Sequence, residues 1–148
     1  MRISRVHMAC DHGGFALKEH LKSFLTGNNV TVDDLGAYSE DPVNYPDYGK
    51  KAAEAVLNDG DPAIIICGTG IGISIAANRF RGIRAALCHC VEYAELSRKH
   101  NNANILALGG RFITENEAEN IVTAFLETEF EGGRHKNRID LIDDGLNN

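Results

Sequence analysis

The sequence predicts an α/β fold: a single domain over residues 1–148, with five parallel strands and helices on both faces of the sheet. Three observations carry this. Short apolar runs alternate with amphipathic segments along the chain, the rhythm of βαβ units. One run, Ala63-Ile64-Ile65-Ile66-Cys67, is continuously apolar, as a strand covered on both faces must be. No linker, repeat or low-complexity stretch divides the 148 residues, a length that fills one core and not two.

The elements follow in order. Residues 5–10 form the first strand, which ends at Asp11-His12-Gly13-Gly14. Leu17, Leu21, Phe24 and Leu25 recur on one helical face, and Gly27-Asn28-Asn29 stops that helix. Val30-Thr31-Val32 is a short second strand. A loop over residues 35–46 carries Pro42 and Pro46, and the next helix buries Ala52, Ala53, Val56 and Leu57. Asp61-Pro62 turns the chain into the third strand, residues 63–67. Gly68-Thr69-Gly70-Ile71-Gly72 then opens a helix over residues 72–80. Residues 83–88 form a fourth strand, 91–99 a helix and 105–108 a fifth strand. Ala118, Ile121, Val122 and Phe125 mark another helix, and a last amphipathic segment runs over 134–142. This rhythm suits a flavodoxin-like, doubly wound sheet of order 2-1-3-4-5. In such a sheet ligands bind at the carboxyl ends of strands one and three, here Asp11-His12 and Cys67-Gly68-Thr69.

Composition narrows the function. Hydrophobic residues make up 43% and charged residues 24% of the chain, as in soluble globular proteins. No apolar run reaches the length of a membrane span, and the N-terminus lacks a signal peptide's apolar core. A cytoplasmic protein is expected. The net charge of −6 argues against nucleic acid, whose binders are basic. A phosphorylated small molecule stays open, because a local cluster such as Arg134, His135, Lys136 and Arg138 can oppose the global sign. The four cysteines are expected as reduced thiols. Cys10, Cys88 and Cys90 read as packing residues. Cys88-His89-Cys90 lacks the spacing of a zinc or redox motif.

Cys67 closes a buried strand ahead of a glycine-rich turn. Backbone N–H groups at a helix start favour an anion, a thiolate included. The residue therefore reads either as a nucleophile or base, or as a small buried hydrophobe. Gly68, Gly70 and Gly72 let backbone approach a ligand or simply permit tight packing. Their spacing is neither a dinucleotide fingerprint nor a P-loop. His100, in His100-Asn101-Asn102-Ala103-Asn104, is a general acid/base or a surface histidine. Arg111 follows the fifth strand, at the carboxyl edge. Arg134 and Arg138 share a helix face and suit phosphate recognition or plain solvation. Asp11-His12 is an acid/base pair, part of an anion site, or a capped turn. Asp33-Asp34 and Asp143-Asp144 read as exposed charges. His7, His20 and His89 have no metal-site spacing and take structural or surface roles.

Seven motifs stand together. They are Asp11-His12-Gly13-Gly14, Tyr45-Pro46-Asp47-Tyr48, Cys67-Gly68-Thr69-Gly70-Ile71-Gly72, Ser74-Ile75-Ala76-Ala77-Asn78, Ser97-Arg98-Lys99-His100-Asn101, Leu108-Gly109-Gly110-Arg111 and Glu131-Gly132-Gly133-Arg134-His135. Their order and spacing resemble the type B ribose-5-phosphate isomerases and the related galactose-6-phosphate isomerase subunits. No one motif decides it, but the set covers nearly the whole chain. The resemblance implies an aldose–ketose isomerisation of ribose 5-phosphate and ribulose 5-phosphate through an enediolate, with no metal and no cofactor. It implies Cys67 as the base moving a proton between C2 and C1. Gly68, Thr69, Gly70 and Gly72 would face the developing oxyanion. His100 would assist ring opening, and Asp11 would bond sugar hydroxyls and assist proton transfer between oxygens. His12, Arg111, Arg134 and Arg138 would hold phosphate, with Tyr45 and Asn101 lining the site. It also implies a homodimer or dimer of dimers, with His100, Asn101, Arg134 and Arg138 meeting Cys67 of a neighbouring chain. Asn44, Cys90 and Asn102 depart from the family pattern, each standing where relatives commonly have Asp.

Three rivals remain. A six-carbon sugar phosphate would need only different room around the sugar. A signalling receiver module would need Asp at the end of strand three, where Cys67 stands, and Lys where Arg111 stands. A cysteine phosphatase would need Arg at the position of Ile73.

Overall fold

Period-two alternation along the strands sorts the apolar residues into two cores. In the computed structural model, which describes residues 1–146, every residue of β3 (Ala63–Cys67) is buried. Asn147 and Asn148, the end of the expected 1–148 domain, lie outside the described residues. Ile64 and Ile66 join Met8 and Cys10 of β1 (Arg5–Cys10), Leu106 and Leu108 of β5 (Ile105–Gly109), and the apolar faces of α1 (Phe15–Gly27) and α5 (Glu115–Glu127). Ile65 and Cys67 point the other way, into a cluster with α2 (Tyr45–Asp59) and α3 (Ile71–Ala77). Each fully buried Ile or Leu contributes about 1.5–3 kcal/mol, so this two-sided run fixes β3 at the sheet centre. Among the described residues no helix is long and apolar enough to cross a membrane.

Five strands pair in parallel, as expected. Their order is a correction: it runs β2-β1-β3-β5-β4, where 2-1-3-4-5 was expected. β5 is buried along its whole length, so it takes an inner place, pairing with β3 on one side and β4 on the other. β4 (Ala85–Leu87) has three half-buried residues and sits at the edge. The same apolar-run rule that centres β3 would have placed β5 inside, had it been applied to Ile105–Leu108.

Other boundaries shift for local reasons. β2 is Thr31–Asp34, and α4 is Val91–Asn101. α3 stops at Ala77 rather than residue 80. There the Asn78 amide turns to Ala85, accepting from its N–H at 2.8 Å and donating to its carbonyl at 2.9 Å. Leu57 is exposed, because the buried stripe of α2 falls on Gly49, Ala52, Ala53 and Val56. The C-terminal segment forms α6 (Arg134–Ile139) and a 3-10 turn over Ile142–Gly145.

Two charged assignments also change. Asp33 and Asp34 are only half-exposed. Asp34 accepts from Lys18 at 2.5 Å and from Lys22 at 2.9 Å, and Lys18 is fully buried. Cys10 and Cys88 are packing residues as expected, whereas Cys90 is partly exposed at the N-cap of α4 and makes no side-chain cap bond there.

Candidate active site

β1, β3 and β5 end side by side, and their loops make one surface. Asp11 follows β1, and its Oδ1 accepts from the N–H groups of Gly13 (2.9 Å) and Gly14 (3.2 Å). The capped-turn reading of Asp11 is thus realised. His12 Nδ1 accepts from the Val43 N–H at 3.1 Å. That bond occupies the Nδ1 lone pair, so a neutral His12 carries its proton on Nε2. Cys67 ends β3, and its Sγ accepts from the Gly70 N–H at 3.2 Å. Thr69 Oγ1 accepts from the Ile71 N–H at 3.1 Å. Gly70 turns the chain at φ 80°, and a Cβ there would lie 2.8 Å from the Leu108 carbonyl carbon. Only glycine fits this close left-handed turn.

The strand order brings Arg111 into this group. Cys67 is in register with Gly109. Gly110 N–H donates to the Cys67 carbonyl at 2.8 Å, and Arg111 N–H donates to the Gly68 carbonyl at 3.1 Å. The guanidinium lies over both glycine turns: a Cβ on Gly68 would be 2.9 Å from one of its nitrogens, and a Cβ on Gly13 3.3 Å from the other. Tyr45 covers the far side, its ring 2.6 Å from where a Gly72 Cβ would stand. Asp11, His12, Tyr45, Cys67, Gly68, Thr69, Gly70, Gly72 and Arg111 therefore share the carboxyl edge. A thiol, a fixed cation and close-approach backbone can there receive a small anion with an acidic C–H. Ile73 is fully buried, so a phosphatase arginine has no counterpart at that position.

The remaining candidates lie elsewhere in the same chain. His100 and Asn101 form the last turn of α4, just before the residues that pair at the opposite end of the sheet. Arg84, ahead of β4, donates from Nε to the Asn101 carbonyl at 2.9 Å. Asn104 accepts from the Ala63 N–H through its carbonyl at 3.1 Å. Ala63 and Cys67 are the two ends of β3, about 13 Å apart at strand rise. Arg134 and Arg138 on α6 belong to this second group. The Glu131 N–H donates to the Lys99 carbonyl at 3.1 Å, and the His100 and His135 rings stack with centroids 4.4 Å apart.

Glu131 was not singled out from the sequence and His135 only as a member of the basic cluster, although both stand in the Glu131–His135 motif. Glu131 precedes α6, which starts at Arg134, so no helical spacing pointed to the pair. Burial chiefly, then the charges of His100 and Arg134, hold the His135 imidazole below its ordinary value. Asn102 takes the left-handed position that closes α4, φ 45° and ψ 45°, which Asn tolerates. That makes one departure from the family pattern conformationally apt.

The sequence model of the ribose/galactose isomerases matches residues 6–142. The chain belongs to that family. A ribose-5-phosphate isomerase B of Escherichia coli is 44% identical over 141 residues, covering 95% of each chain. A probable ribose-5-phosphate isomerase B of Mycoplasma genitalium is 43% identical, covering 93% of this chain and 92% of that one. Among solved structures, a ribose 5-phosphate isomerase of Thermotoga maritima superposes with a TM-score of 0.94 at 52% identity, over 95% of this chain and 98% of that one. Its counterpart from Clostridium thermocellum gives 0.93 at 47%, over 95% of each. These superpositions show that the chain shares its fold with those structures and leave the role of each residue to its geometry.

Proposed function

We propose that this ribose/galactose isomerase family member interconverts ribose 5-phosphate and ribulose 5-phosphate, as a single-domain cytoplasmic enzyme. The juxtaposition of Cys67, the Gly68–Gly72 turn and Arg111 carries the reading. An aldose C–H beside the carbonyl is acidic enough for a positioned base. Cys67 as thiolate takes the C2 proton and returns it to C1, while the O2 hydroxyl proton passes to O1 with the help of Asp11. The carbonyl oxygen gains charge meanwhile, and the Thr69 hydroxyl with backbone N–H groups of the turn lowers that cost. Asp11 Oδ2, left open by the two bonds to Oδ1, accepts from sugar hydroxyls. His12 and Arg111 hold phosphate, and Tyr45 walls the sugar. None of these steps draws on a metal or cofactor.

His100, Asn101, Arg134 and Arg138 complete the site from a second copy of the chain. His100 assists ring opening, Asn101 lines the sugar, and the two arginines add phosphate contacts. Exposed Ile71, Ile75, Tyr93, Leu96, Phe112 and Leu141 supply apolar surface for a homodimer or a dimer of dimers.

The test is turnover of ribose 5-phosphate by purified protein with chelator present, against galactose 6-phosphate as comparator. Pentose turnover is expected. Turnover of the hexose alone would move the enzyme to its six-carbon relatives, and turnover of neither would refute the reading. Cys67→Ala should lower kcat by about 10³-fold with binding of phosphorylated ligands retained. Arg138→Ala should raise KM about tenfold with kcat little changed. Retained turnover in the first, or an unchanged KM in the second, would remove that residue from its role.

A further inference from the structure

Glu131 stands between two imidazoles and bonds to neither. Its Oε1 is 3.8 Å from His100 Nε2 and 3.6 Å from His135 Nε2, both beyond hydrogen-bond length. All three potential ligand atoms fall within 4.8 Å of one another. Around a tetrahedral zinc ion, with ligands at about 2.0–2.1 Å, neighbouring donors sit about 3.4 Å apart. The two carboxylate–imidazole separations exceed that edge by a few tenths of an ångström. The stacked rings, inclined by 16°, must tilt to share an ion. His100 is half-exposed on the last turn of α4 and has room to do so.

Two imidazoles and one carboxylate suit zinc and its borderline neighbours, whereas calcium and magnesium prefer all-oxygen sites. The backbone is already tied: Glu131 to Lys99, and His135 N–H to the Gly132 carbonyl at 3.2 Å. Exposure of His100 and Glu131 leaves a fourth position to water. Arg134, Arg138 and Lys99 oppose a cation nearby, so affinity should fall below that of a closed structural site.

We propose that His100, Glu131 and His135 form a regulatory site for a zinc-class divalent cation, and that the bound ion withdraws His100 from isomerisation. The site stands on geometry alone; the inhibition rests on the role proposed above for His100. Calorimetric titration of chelator-stripped protein with zinc chloride should show one ion per chain. Glu131→Gln and His135→Asn should each weaken binding about tenfold or more, while Cys67→Ala leaves it intact. Glu131 is exposed and its replacement isosteric, so that variant tests the site even if His135→Asn is poorly folded. Zinc should inhibit isomerisation reversibly, and Glu131→Gln should need about tenfold more zinc for half-inhibition. Absence of binding, binding that survives Glu131→Gln, or binding lost in Cys67→Ala would overturn the site. Binding at the site with full turnover would overturn the inhibition. An inactive wild-type protein would refute the isomerase reading while the titration still decided the site.

Discussion

A cysteine's surroundings decide what its thiol can do. Burial pushes Cys10 and Cys88 up to about 11, so both stay protonated and unreactive near neutral pH. Cys67 is almost as buried, at 5% exposure, but it has the Gly70 N–H on its sulfur and a polar turn beside it. Iodoacetamide at pH 8 should leave Cys10 and Cys88 unmodified in the native protein, and ribose 5-phosphate should protect Cys67. Peptide mass analysis reads both; labelling of Cys67 indifferent to ligand would place it outside the site. Glycines divide in the same way. A Cβ on Gly14 would sit 2.4 Å from the Ile66 carbonyl oxygen, in backbone that cannot yield. Gly14→Ala should therefore cost about 3 kcal/mol or more. At Gly72 the obstacle is the Tyr45 ring, which is 42% exposed and free to swing. Gly72→Ala should keep stability within about 1 kcal/mol and raise KM instead. Denaturation midpoints beside KM separate the two outcomes.

Elements are held together by charges that the sequence did not advertise. Lys18 on α1 meets Asp34 at the end of β2, and Asp34 also holds the Lys22 ammonium and the Gly36 N–H at 3.0 Å. Burial pushes the Asp34 carboxyl up, but these hydrogen bonds outweigh it and leave it below its ordinary value. Asp34→Ala leaves the buried Lys18 ammonium to the longer Glu19 pair at 3.3 Å and should cost about 3 kcal/mol. Lys18→Met leaves Asp34 its other partners and should cost less; the reverse order in urea denaturation would refute this account. On the opposite face of the sheet His7 bridges Asp33 (2.6 Å) and Asp59 (2.9 Å). Its hydrogen bond, then those from the Asp61 N–H and Arg5, hold Asp59 down from 3.8 to about 2. A carboxyl lowered on folding stabilises above its unfolded value. That contribution should fade as pH falls from 3.8 toward about 2, and Asp59→Asn should flatten the loss. Periodicity exposed the strands and helices because it repeats. Single long-range pairs such as Lys18–Asp34 leave no local pattern, so Asp33-Asp34 looked merely solvated. The order of β4 and β5 was legible in Ile105–Leu108, whose apolar run matches that of β3.

At the scale of the whole molecule the proposed site is divided. The family resemblance implied a site shared between two chains, and strand polarity puts Cys67 and Arg111 at one edge of the sheet and His100 and Arg138 at the other. No side chain spans a strand of about 13 Å while remaining packed where these are. A two-fold dimer solves this, because each copy can present its His100 corner to the other's Cys67 edge and form two equivalent sites. Complementation tests the arrangement directly. Cys67→Ala and the double variant His100→Asn/Arg138→Ala should each be nearly inactive alone. In a mixed dimer one site inherits both defects and the other inherits none. Unfolding and refolding the two together in equal amounts should then restore about a quarter of wild-type activity, since half the dimers are mixed and half their sites intact. Activity no higher than the sum of the separate variants would mean that each site is built within one chain. His100 and the α6 arginines would then need another explanation, because nothing in the protomer brings them to the thiol.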